Sequence, residues 1–154
     1  MAGIRARTGT GALTIGASAT TTALRITAPA NQRVFISEIT FSAKGVDATQ
    51  TPLLISLNRY SAAPSGGSAV TPVKINSADD ETIQTTSGKA DSSAGTTSGL
   101  PLFQAYVSPN GGGYTWGPGN IGVIVCKGGE TLGITIENSN GAAITGEVGI
   151  GFEE

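Results

Sequence analysis

The chain has 154 residues, enough for one domain with a two-layer core and too few to support two. Charged residues make up only 13% of it, while 23 glycines and abundant Thr, Ser and Ala separate short apolar runs, a composition of turns and strands rather than helices. There is no histidine, which removes the commonest general base, the Ser-His and Cys-His nucleophile systems and nearly all zinc sites. The net charge of −2 hides an asymmetry: Arg5, Arg7, Arg25, Arg33, Lys44, Arg59 and Lys74 outnumber Glu38 and Asp47 early on, whereas only Lys89 and Lys127 offset the later acids. These basic residues are widely spaced and lack interleaved aromatics, so no nucleic-acid partner is expected.

Residues 1–22 show neither hydrophobic period and no apolar core of the length a secretory signal needs. They read as an extended N-terminal arm whose Ile4, Leu13 and Ile15, with Arg5 and Arg7, are expected to contact another subunit or a larger partner. No stretch approaches a membrane span, so no membrane contact is expected either. TALRITA is the first predicted strand, ended by Pro29. RVFISEITFSA follows, with Phe35, Ile39 and Phe41 on one face and Val34, Ile36 and Thr40 on the other. In LLISLNRY, Leu53, Ile55 and Leu57 face a core and the opposite side is mostly wet.

TPVKI is a short strand, and 74–99 is a long polar excursion, exposed or ordered by a neighbouring subunit. Its Asp79, Asp80 and Glu81 form the one acidic cluster, but their spacing does not match a calcium loop, and no metal or cofactor is expected. LPLFQAYV is a strand and SPNGGGYTWGPGN a glycine-dense turn. Within it Tyr114 and Trp116 admit two readings: a platform for a sugar or protein partner, or rings folded over the end of the domain or into a subunit contact. IGVIVC, LGITIEN and AITGEVGIGFEE complete the set, with Ile144, Val148, Ile150 and Phe152 sharing one parity. Cys126, alone, reads as a buried structural thiol.

Seven or eight strands with long connections predict an all-β, Greek-key or jelly-roll-like β-sandwich over 23–154. Its core is expected from Phe35, Ile39, Phe41, Ile55, Leu57, Ile134, Ile136, Val148, Ile150 and Phe152. No catalytic constellation is visible, so the chain is not expected to be an enzyme.

The series ALRITAPANQRVFISEITF, TPLLISLNRY, TPVKINSADDETIQTT, the aromatic turn and LGITIENSNGAAITGEVGIGFEE resembles the decoration, or cement, proteins of tailed-bacteriophage heads. That resemblance covers roughly residues 23–154. It implies a jelly-roll-like sandwich on the capsid exterior, assembled in the host cytoplasm. The implied partner is the major capsid protein of the same virus, contacted by a homo-oligomer, often a trimer, without catalytic residues. The alternatives are a phage tail or fibre component and a carbohydrate-binding β-sandwich module that uses Trp116 and Tyr114.

Overall fold

The computed structural model describes residues 3–44, 51–117 and 123–154, and these are all β. In chain order the strands are β1 (Arg5–Gly9), β2 (Leu13–Ile15), β3 (Ala19–Thr27), β4 (Val34–Lys44), β5 (Leu53–Ala62), β6 (Ser68–Val70) and β7 (Val73–Lys74). They continue as β8 (Thr86–Asp91), β9 (Thr96–Thr97), β10 (Phe103–Val107), β11 (Asn110–Trp116), β12 (Ile124–Cys126), β13 (Thr131–Asn138) and β14 (Ile144–Glu153).

Two antiparallel sheets result, a β-sandwich. One runs β11-β4-β14-β1-β7, with β12 also beside β4 and β2 beside β14. The other runs β10-β5-β13-β3-β8-β6, with β9 also beside β5. The pairs are nested: β1 with β14, β3 with β13, β4 with β11 and β12, β5 with β10. β14 also pairs with β4 and β13 with β5, which joins the nested pairs into sheets. Early strands therefore lie beside late ones, so the basic first part of the chain meets the acidic last part inside one molecule.

Nine of the ten expected core residues are buried; Phe35 is 42% exposed. The cause is a bulge. Gly151 pairs with Glu38 but Phe152 with Ile36, which leaves Ser37 as the extra residue and reverses the facing of β4. Val34 and Ile36 point inward before it, and Ile39, Phe41 and Ala43 after it.

The N-terminal segment is not an arm. β1 is paired along its length from Arg5↔Glu153 to Gly9↔Gly149, and β2 pairs Ile15 with Ile144. Ile4 and Ile15 are buried in their own domain, and Leu13 packs against the core. The inward residues of RARTG are Ala6 and Thr8, both buried, and alternation carried by Ala and Thr has no hydrophobic signature.

The 74–99 segment is likewise partly structural. Its β8 lies between β3 and β6, and its polarity serves a seam between the two sheets. The Thr8 and Ser87 hydroxyls meet at 2.8 Å, Ser87 Oγ donates to the Val70 carbonyl at 2.7 Å, and Lys89 Nζ donates to the Thr10 carbonyl at 2.7 Å. Glu154 accepts from the Gln84 and Thr85 amides at 2.6 and 2.9 Å and from the Thr85 hydroxyl. The remainder, 75–84 and 92–99, is mostly exposed loop.

Two local expectations change as well. The glycine-dense turn contains β11, which pairs Tyr114 with Phe41 and Trp116 with Ile39. The supposedly wet face of β5 buries Ser56 and Asn58, where Gln104 Nε2 donates to Ser56 Oγ at 3.1 Å and Asn58 Nδ2 to Thr135 Oγ1 at 2.9 Å. The strand count rises accordingly, from seven or eight to fourteen among the described residues. Parts of the loop expected at 44–52, of the turn at 108–120 and of IGVIVC lie outside the described residues.

Candidate interaction surface

Burial holds two titratable groups in their neutral forms. Cys126 is fully buried, its Sγ 3.2 Å from the Glu130 carbonyl, and burial pushes the thiol up to about 11, away from the thiolate a nucleophile needs. Burial also raises the Tyr60 phenol. Asp79 accepts from Asn76 Nδ2 at 3.0 Å, and among the described residues no three His, Cys, Asp or Glu side chains gather as a metal site. A shallow hollow of about 390 Å³ beside Ile4, Glu81 and Glu154 is the kind of feature a cation would need, but Glu154 is already committed to Gln84 and Thr85.

The residues singled out in the sequence are not brought together. Ile4 and Ile15 lie in the core and are unavailable to a second chain. Arg5 Nε meets Glu153 Oε2 at 3.2 Å, and Arg7 Nη2 lies 3.8 Å from Glu38 Oε1 and donates to Thr40 Oγ1 at 3.1 Å. Both arginines thus find acids of their own chain, a direct outcome of the nested pairing. Trp116 is buried, so it offers no platform, and its Nε1 has no hydrogen-bond partner among the described residues. Tyr114 is half-buried and stacks on Phe103, centroids 5.2 Å apart. This pair closes the gap between β10 and β11, the folded-over reading of the aromatic turn.

The side that holds this pair differs chemically from the opposite one. From Ser92 through Cys126 the sequence contains no Asp, Glu, Lys or Arg, and this stretch supplies β9, β10, β11 and β12. Leu100, Tyr106 and Val123, among the most exposed large apolar side chains, belong to it at 89%, 75% and 56%. The opposite side, built from β1, β6, β7 and β8, carries Arg5, Arg7, Lys74, Lys89 and Asp91. A stretch without charge, with exposed Tyr and Leu, has the composition of the centre of a protein–protein contact. The signal is legible in the sequence as an absence of charge rather than as any chemical group.

A scan against protein-family models and searches of curated proteins and of solved structures find no match to this chain.

Proposed function

We propose that the chain is a non-enzymatic structural protein of a virion that binds the outer surface of a phage capsid and stabilises it. The observation that carries this reading is the nested order of β1·β14, β3·β13, β4·β11 and β5·β10. Eight strand positions take this order when one long antiparallel hairpin is rolled up, which is the jelly-roll arrangement used by viral capsid and lectin domains. Resemblance to decoration proteins selects the viral member of that pair. The lectin-type module loses its proposed aromatic platform, because Trp116 is inside the sandwich.

Such a protein acts by binding energy alone. A ligand that binds the assembled state and not the opened one stabilises it by about 2.7 kcal/mol at a hundredfold excess over Kd. The test is to mix purified protein at micromolar concentration with empty capsids of the source virus, and separately with purified tails, and to sediment each. Co-sedimentation with capsids, and a raised temperature of capsid opening, are expected. Pelleting with tails alone would make it a tail component, and no association with either would overturn the proposal.

A further inference from the structure

We infer that β10 is a self-pairing edge, at which two copies of this chain join by antiparallel pairing of Phe103–Val107 with the same strand of the second copy. Among the described residues β10 pairs only with β5, so its outer row of backbone groups is unpaired. A sheet edge in that state is a template for another strand unless something blunts it. The other sheet ends are blunted. β11 carries a register shift between Asn110 and Gly113, β6 has three residues, and β7 has two, one of them Lys74. β10 runs five residues in unbroken register against β5 and contains no charge, proline or glycine.

Chemistry at this edge selects the occupant. Because no charged residue lies between Ser92 and Cys126, an acidic or basic partner would leave its charges unpaired and desolvated. Head-to-tail pairing onto the β6–β7 side would bring the neutral edge against Arg5 and Lys74, at the same cost. A second β10 is neutral and complementary to itself under two-fold symmetry. Pro101 and Pro109 flank the strand and cannot donate to a ladder, so the full-length register is the one centred on Ala105. It sets Gln104 opposite Tyr106 of the second copy on the outer face, where both side chains are exposed. Five paired residues span about 17 Å, a short contact that exposed Tyr106 and Leu100 extend. The contact closes at two copies, in place of the trimer that the resemblance implies, and it does not rest on the capsid reading.

Sedimentation equilibrium of the full chain over a range of concentrations tests this, with two double variants. Wild type should show a monomer–dimer equilibrium with nothing larger. Q104K/Y106K places like charges opposite each other twice across the two-fold and should weaken dimerisation by about tenfold or more. Q104E/Y106K places opposite charges there and should dimerise within about threefold of wild type. Both variants change exposed side chains and both lose the Gln104–Ser56 hydrogen bond, so that loss is common to them, and unchanged far-UV circular dichroism shows that the fold is kept. Wild type that is monomeric at every concentration, association that continues beyond dimers, or two variants that behave alike would each overturn the inference.

Discussion

Arg7, Arg25 and Tyr60 each lie across a glycine of a neighbouring strand, where a larger residue would collide with them. A Cβ on Gly149 would stand 2.6 Å from Thr40 Oγ1 and 3.2 Å from Arg7 Nη2; one on Gly88 would stand 2.8 Å from Arg25 Nη2, and one on Gly133 2.8 Å from Tyr60 Cε2. The most consequential of the three is Arg25. Its Nε sits 2.9 Å from Asp91 Oδ2, the Asp91 side chain is fully buried, and the Gly67 amide donates to the other carboxylate oxygen at 3.2 Å. Arg25→Ala would leave that carboxylate buried and unpaired, so a loss of about 3–5 kcal/mol is expected in denaturant unfolding. Arg5→Ala, at an exposed pair, should cost under about 1 kcal/mol. Equal effects would contradict the burial. Cys126 adds a pH dependence. Its unfolded thiol ionises near 9 and the folded one near 11, so only the unfolded state loses the proton between those values. Stability should hold below pH 9 and fall by roughly 2–3 kcal/mol towards pH 11. Cys126→Val should lack that part of the alkaline loss; an identical profile would show that the thiol is not the source.

At the scale of elements, bulges and small inward residues decide where the sequence is legible. β5, β13 and β14 show their cores plainly, because Ile55, Leu57, Ile134, Ile136, Val148, Ile150 and Phe152 alternate without interruption. Ser37 breaks that alternation in β4, and Ala23 does so in β3, where Ile134 pairs with Leu24 but Thr135 with Thr22. A period-2 pattern cannot reveal an inserted residue, so the alternation puts Phe35 inward where the structure has it exposed. β1 and β8 were invisible for a different reason: their buried positions are Ala6, Thr8, Ser87 and Asp91, satisfied by hydrogen bonds and an ion pair across strands. The same holds for Ile4 and Ile15, whose partners come from the pairing of β1 and β2 with β14, which no hydrophobic pattern in those strands marks. Three variants check this account by their denaturation midpoints. Phe152→Ala should cost about 3–5 kcal/mol and Phe35→Ala much less. Ile15→Ala should cost about 2–5 kcal/mol, whereas a mobile arm would make it silent.

For the whole molecule, nested pairing makes the two ends of the chain neighbours. β1 closes on β14, and the amide of Glu154 donates to the Ile4 carbonyl at 3.0 Å while the Ile4 amide donates back at 2.9 Å. Loop entropy has to be overcome before such pairs form, so folding is expected in milliseconds to seconds or slower, and a chain ending before Ile144 should not fold cooperatively. The same closure pairs the basic early part with the acidic late part internally, through Arg5–Glu153, Arg25–Asp91 and Arg59–Glu130, and the stretch from Ser92 to Cys126 takes no part in it. The jelly-roll reading, and the capsid proposal built on it, therefore depend on the first strand being fixed in the free protein. Amide hydrogen exchange of the isolated chain measures this directly. Amides of Arg5–Gly9 that exchange as slowly as those of Ile144–Glu153 are the predicted result, and rapid exchange through β1 beside a protected β14 would contradict it.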